Sequence, residues 1–234
     1  MTDKRITLVT GASRGLGRAA SLQLAAAGHH VIAVARSKSA LEALDDEIKA
    51  AGGSATLVPM DLKDPKAAET LATAVDSRFG RLDGLLGNAG VLGTLGPLQT
   101  IGPRSFEETI EINLTANWRL IRAFDLLLRQ SSSPRVAFIT SGVVPRPRAF
   151  WGPYQASKWG LEGMVFAYAD EAEKTSMKVN LFDPGAVRTT MRADAMPGED
   201  PMTLPAPEAV AEQLIVLLSE DETRNGERVV VSRP

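Results

Sequence analysis

Tyr154 and Lys158 stand four residues apart in the run Tyr154-Gln155-Ala156-Ser157-Lys158, which opens an apolar stretch with helical spacing, residues 159–165. Residues four apart lie one turn apart on the same face of a helix, so the phenol and the ammonium point to one place. A free phenol has a pKa of about 10, too high for easy proton exchange near neutrality, and a cation within about 4–6 Å lowers it. Such a pair is suited to passing a proton to and from a carbonyl oxygen. The same spacing also describes an ordinary pair on a helix surface, so its meaning depends on the rest of the chain.

A second chemical pattern lies near the start. Gly11-Ala12-Ser13-Arg14-Gly15-Leu16-Gly17 follows a β-rich run, residues 5–10, and precedes an amphipathic stretch that stops at Gly28. Strand, glycine turn and helix start leave backbone N–H groups free to face a phosphate. Glycines also let the main chain approach a pyrophosphate closely. The spacing Gly-x-x-x-Gly-x-Gly departs from the common Gly-x-Gly-x-x-Gly, and a glycine-rich structural turn is the lesser alternative until the context is added. Residues 30–35 supply the next strand and complete a βαβ unit. NAD-selective sites place a carboxylate near the end of that strand. Here Ala35 is followed by Arg36-Ser37-Lys38. Their positive charge, with Arg14 in the glycine loop, suits a 2′-phosphate and predicts NADP(H) over NAD(H). The alternative is a solvated basic loop.

These groups need a scaffold. Hydrophobic patterning predicts strands at residues 5–10, 30–35, 55–60, 82–86, 135–140, 177–182 and 228–231. Helices are predicted at 16–27, 39–51, 65–79, 105–130, 154–174 and 207–218. Alternation of this kind predicts an α/β fold of Rossmann type: a doubly wound, mainly parallel seven-stranded sheet with helices on both faces. No linker or repeat divides it, so residues 1–234 read as a single domain. Ligands of such sheets bind beyond the carboxyl ends of the strands. Thr10-Gly11, Asp61, Asn88-Ala89-Gly90, Ser141 and Pro184-Gly185 all fall there.

Composition narrows the function classes. A net charge of −2 gives no electrostatic basis for nucleic acid or anionic membrane as partner. The chain has no cysteine, which removes thiolate nucleophiles and Cys-ligated metals. Its two histidines, His29 and His30, are adjacent after Gly28 and read as turn residues, so no metal site is expected. No apolar run approaches the roughly 18–20 residues of a membrane span, and Met1–Arg5 leads straight into the first strand with no leader. A cytoplasmic protein is expected.

The ordered set of motifs resembles the short-chain dehydrogenase/reductase family over nearly the whole chain. The matching residues are Thr10 to Gly17, Asp61-Leu62, Asn88-Ala89-Gly90, Asn113, Ser141, Tyr154-x-x-x-Lys158 and Pro184-Gly185, with Ser141 and Tyr154 at the family's separation. The run Met191 to Pro201 resembles a bacterial YciK-like branch of it. The resemblance implies four catalytic positions. Tyr154 is the general acid/base, Lys158 lowers its pKa and holds the nicotinamide ribose, Ser141 binds the substrate oxygen, and Asn113 holds a water of a proton relay. It also implies cofactor contacts at Gly11, Ser13, Arg14, Gly15, Leu16, Gly17, Arg36 and Ser37. Further contacts are Asp61 and Leu62 at the adenine, Asn88, Ala89 and Gly90 as a floor, and Pro184, Gly185, Val187 and Thr189 near the nicotinamide.

The expected activity is hydride transfer between NADP(H) and a carbonyl or alcohol. A non-catalytic NADP(H)-binding module, sensing redox state or scaffolding a partner, is the competing reading. Val143, Val144, Phe150, Trp151, Met191, Met196 and Met202 are candidate apolar lining, which favours a lipophilic small-molecule substrate. Arg146 and Arg148 either recognise an acidic tail or sit in solvent. Pairing through the two long helices, with Gly160, Gly163, Ala167 and Ala169 allowing close approach, predicts a homodimer or homotetramer; the alternative is that these residues pack inside the monomer against the sheet.

Overall fold

Along each central strand, apolar side chains point alternately to opposite faces, so both faces need cover. In the computed structural model, which describes residues 4–232, helices supply that cover. Residues 1–3, part of the stretch read as lacking a leader, and residues 233–234 lie outside the described residues.

The elements run β1 (Ile6–Thr10), α1 (Gly15–Ala26), β2 (His30–Ala35), α2 (Lys38–Ala50), β3 (Ser54–Pro59), α3 (Ala67–Phe79) and β4 (Gly84–Gly87). The second half runs α4 (Pro103–Ile110), α5 (Ala116–Arg129), β5 (Arg135–Ile139), α6 (Gly152–Glu171), β6 (Lys178–Asp183), α7 (Thr190–Ala195), α8 (Pro207–Val216) and β7 (Arg228–Val230). The sheet order is β3-β2-β1-β4-β5-β6-β7. Every pairing is parallel, where the sequence promised only a mainly parallel sheet. Each strand is followed by a crossover, and parallel strands require one.

The alternation divides the core in two. Leu8, Ile32, Leu85, Phe138 and Leu181 pack with Leu71, Phe124, Leu161 and Val165 from α3, α5 and α6. Val9, Val31, Leu86, Ala137 and Phe182 pack with Leu24, Leu44 and Leu214 from α1, α2 and α8 on the other face. Each fully buried Leu, Ile, Val or Phe contributes about 1.5–3 kcal/mol against exposure. β1 lies between β2 and β4, where the winding direction reverses, and the loops after β1 and β4 meet at that crevice.

Three expectations need correction. The helix expected over 105–130 is interrupted: Glu111–Thr115 forms one widened π turn between α4 and α5. Such turns are stable only when something else satisfies the displaced backbone. Here Asn117 Nδ2 donates to the Asn113 carbonyl at 2.8 Å. The segment after residue 189, where no helix is expected before residue 207, contains α7 and a short 3-10 turn, Pro201–Thr203. His29 is not a plain turn residue, because it is buried with Nδ1 2.8 Å from Thr7 Oγ1. Burial, reinforced by the nearby Arg5 cation, lowers its pKa to about 4. His30 begins β2 and bonds Ser54 and Thr56 on β3 at 3.0 and 2.8 Å.

Candidate active site

A cavity of about 930 Å3 opens over the carboxyl ends of the strands. One end is built from the glycine loop. Gly11 and Gly15 have φ of 66° and 55°, values that side chains with a Cβ adopt only under strain. A Cβ on Gly17 would come within 2.3 Å of Asn88 Nδ2, so that residue must be glycine for the β1 and β4 loops to meet. The contact is bonded as well: Asn88 Nδ2 donates to the Thr10 carbonyl at 2.9 Å, and Thr10 Oγ1 accepts from the Asn88 and Ala89 amides, both at 3.0 Å. α1 begins without a side-chain cap, and Gly15 and Leu16 in its first turn line the cavity.

The expected cofactor residues gather here. Gly11, Ser13, Arg14, Gly15, Leu16, Arg36, Asp61, Leu62, Asn88, Ala89, Gly90, Pro184, Gly185, Val187 and Thr189 all face the cavity. Two do not. Gly17 packs behind the loop against Asn88, and Ser37 caps α2 by accepting the Ala40 amide at 3.3 Å. No carboxylate ends β2, whose last residue Ala35 lines the cavity beside Arg36.

At the other end, Ser141, Tyr154 and Lys158 share one wall. Tyr154 and Lys158 are both buried, on successive turns of α6. The Ser141 side chain lies near enough to act on the Tyr154 phenol. Lys158 Nζ lies 5.8 Å from the Tyr154 ring centroid and donates to the Ile139 carbonyl at 2.7 Å. Burial pushes the phenol up to about 12, with the Ser141 hydroxyl opposing the rise and Asp183 adding to it. Burial likewise lowers the Lys158 ammonium to about 8, against the attraction of Glu162. The expected depression of the phenol by its lysine is therefore outweighed: removing both groups from water disfavours phenolate and ammonium alike.

Asn113 lies apart from the cavity wall. Its Oδ1 accepts the Val91 amide at 2.8 Å, and its Nδ2 donates to the Val91 carbonyl and Ser157 Oγ, each at 2.9 Å. A Cβ on Gly90 would stand 3.2 Å from Asn113 Oδ1 and 3.9 Å from Lys158 Nζ, so the asparagine sits directly behind the floor residue.

Of the proposed apolar lining, Val143, Trp151 and Met191 face the cavity, together with Arg146 and Arg148. Arg148 stacks on Trp151 at 5.6 Å, and Trp151 meets the Tyr154 ring edge-on at 5.9 Å. Val144 is buried elsewhere, and Phe150 and Met202 are exposed and do not face the cavity; nor does Met196. Phe150 holds φ 73°, an unfavourable value for a phenylalanine, with its carbonyl accepting the Gly96 amide at 2.9 Å.

Sequence reasoning missed Asp183, Arg192 and Arg228, which also line the cavity. Arg192 makes a bidentate pair with Glu199 at 2.5 and 2.7 Å. No short motif marks these residues, since their partners are fixed only by the tertiary fold. Among the described residues no group of His, Cys, Asp or Glu could hold a metal ion. No helix among them is long and apolar enough to cross a membrane.

Comparison with known proteins gives the class. The short chain dehydrogenase family model matches residues 5–200, so the chain belongs to the short-chain dehydrogenase/reductase family and is an oxidoreductase of that type. Within it the chain is YciK-like. It is 35% identical over 227 residues to the uncharacterized oxidoreductase YciK of Escherichia coli K12, covering 96% of this chain and 90% of the relative. A short chain dehydrogenase from Shigella flexneri 2a solved with NADP superposes with a TM-score of 0.93 at 34% identity, covering 97% of each chain. Another from E. coli CFT073 solved with NADPH gives 0.90 at 33%, covering 97% of this chain and 96% of the other.

Proposed function

We propose that the protein is an NADP(H)-dependent reductase or dehydrogenase that moves a hydride between the nicotinamide and a carbonyl or alcohol carbon. The observation that carries this is the meeting of Ser141, Tyr154 and Lys158 in the wall of one cavity whose far end is a glycine loop at an uncapped helix start. The reading takes residues 1–234 as one domain, supported by a single sheet drawing strands from Ile6 to Val230.

The cofactor site is suited to a dinucleotide. Gly11 and Gly15, which line the cavity without side chains, give backbone access to a pyrophosphate, and the α1 amides face it. Arg14 and Arg36 suit a 2′-phosphate, which favours NADP(H) over NAD(H). The two similar proteins solved with NADP and NADPH support the same preference. Asp61 and Leu62 would meet the adenine, and Pro184, Gly185, Val187 and Thr189 the nicotinamide end.

When bound, the nicotinamide supplies or accepts the hydride. The Tyr154 phenol donates its proton to the substrate oxygen during reduction and regains it during oxidation. Burial raises its pKa to about 12, so it holds its proton at neutral pH and releases it only as negative charge develops on the substrate oxygen. The Ser141 hydroxyl stabilises charge building on the same oxygen. Lys158, one turn beyond Tyr154, would hold ribose hydroxyls and supply positive charge beside the phenol. Val143, Trp151 and Met191 favour an apolar carbonyl substrate.

The deciding experiment measures NADPH oxidation, with NADH in parallel, against ketones, aldehydes, quinones and 3-oxoacyl thioesters. Tyr154→Phe should lower turnover by roughly 10²–10⁴-fold while NADPH affinity persists. A binding module would lose nothing on that substitution, and equal behaviour of both proteins would sink the enzymatic reading.

We also propose a homodimer or homotetramer built on α5 and α6. Trp118 and Leu126 on α5, and Trp159 and Phe166 on α6, are exposed, and Gly163 faces open space. Gly160 packs instead against Leu114 within the chain, and Ala169 belongs to the core.

A further inference from the structure

Arg228, the first residue of β7, reaches across to three other elements. Its Nη2 donates to Asp183 Oδ2 at 2.7 Å and to the Ser141 carbonyl at 3.1 Å. Its Nε donates to Glu162 Oε1 at 3.0 Å, an oxygen that also accepts Thr140 Oγ1 at 2.5 Å. Asp183 Oδ1 in turn accepts the Gly185 amide at 3.0 Å. The Glu162 and Asp183 side chains are only 8% and 6% exposed. One rigid guanidinium fork thus joins the end of β5, the middle of α6 and the turn after β6.

The placement is specific to the reacting end of the cavity. Glu162 stands one turn beyond Lys158 on α6 and is the carboxylate that attracts its ammonium. Asp183 acts on the Tyr154 phenol. Buried charge clusters are poor stabilisers compared with packed apolar residues, because desolvation consumes most of the attraction. Every bond of this one ends on a segment that carries Ser141, Lys158 or the Pro184-Gly185 turn.

We propose that Arg228 is a positioning residue: it fixes the Ser141 peptide facing Tyr154 and shares Glu162 with Lys158, holding both the geometry and the charge balance of the proton-handling groups. The inference rests on the oxidoreductase reading given above. The titratable and charged groups at this end are Tyr154, Lys158 and Glu162 on α6, Asp183 at the end of β6, and Arg228 on β7; β5 contributes the Ile139 carbonyl.

The test compares Arg228→Met and Arg228→Lys with the parent protein. Three readouts are needed: NADPH affinity, kcat on whichever carbonyl turns over, and titration of Lys158 by ¹⁵N-lysine NMR, assigned with Lys158→Met. In Arg228→Met, Glu162 is left to act on Lys158 alone, so the lysine titrates above its value of about 8. Displacement of Ser141 lowers kcat by roughly 10-fold to 100-fold, with NADPH affinity held within about twofold. Arg228→Lys keeps the charge but cannot span the acceptors, so Lys158 titrates as in the parent while kcat falls several-fold. Lowered melting temperature with parental kcat and Lys158 titration would show a merely structural role and overturn the proposal. If Arg228→Met does not fold, Arg228→Lys decides alone, and parental kcat in it is the overturning result. Absence of turnover in the parent would instead defeat the oxidoreductase reading. The Lys158 titration still reads the charge coupling in that case, and no shift in Arg228→Met overturns it.

Discussion

Asn113 in the widened turn and Ser157 in α6 are joined by a hydrogen bond of 2.9 Å, fully buried, that runs behind the floor of the cavity. The same amide group holds both backbone groups of Val91. One side chain therefore couples the loop after β4 to the helix that carries Tyr154 and Lys158. Asn113→Ala leaves the half-buried Val91 N–H and C=O without their side-chain partner and should cost about 1–3 kcal/mol of stability. NADPH affinity should fall with it, because Gly90 loses its backing. Denaturant unfolding and a fluorescence titration of NADPH would check both, and an affinity loss without a stability loss would contradict this account.

Arg36 faces the cavity just beyond β2, where no carboxylate stands. Replacing it with Asp should weaken NADPH by roughly tenfold or more, the worth of one charge-assisted contact, while NADH binding holds or improves. Parallel titrations with the two nucleotides measure this. Equal losses for both would place Arg36 away from the 2′-phosphate.

His29 gives a stability prediction with a definite sign. Its folded pKa, about 4, lies below its ordinary value of 6.5, so the unfolded chain binds the extra proton first. Stability is full above the unfolded value and declines as pH falls from 6.5 towards 4, by up to about 3 kcal/mol. His30, also lowered by burial, adds in the same direction. His29→Gln should flatten part of this decline when unfolding free energy is followed from neutral to mildly acid pH. An unchanged slope would assign the acid sensitivity to other groups.

The exposed aromatic residues of α5 and α6 predict an interface. Trp159→Glu together with Phe166→Glu should convert the assembly to a 25 kDa species in sedimentation velocity at micromolar concentration. A parent protein that already sediments at that mass would remove the assembly from consideration.

Local chemistry was legible wherever a residue's role is set by its neighbours in sequence. β2 starts and stops where its hydrophobic run does, and the helical spacing of Tyr154 and Lys158 carries through to one cavity wall. The π turn at Glu111–Thr115 was not legible, because the Asn113 side chain inside it is held by Val91 and Ser157, remote in sequence, and only the Asn117 bond is local. Arg228 escaped notice for the same reason, with partners at 141, 162 and 183 that only the finished sheet brings together. Phe150 and Met202 were misassigned as lining because apolar character does not say which way a loop side chain turns. The electrostatics of Tyr154 were misjudged because spacing reveals a neighbouring cation and conceals the depth of burial.

The edge strand β7 has a temporal meaning as well as a spatial one. Arg228, Val230 and Val231 wall the cavity, whereas the glycine loop emerges more than 200 residues earlier in synthesis. A ribosome-bound chain can therefore expose its phosphate-facing amides long before it owns a pocket. A ligand that fills the whole cavity therefore exerts its full stabilising effect only once residues 228–231 have joined the sheet.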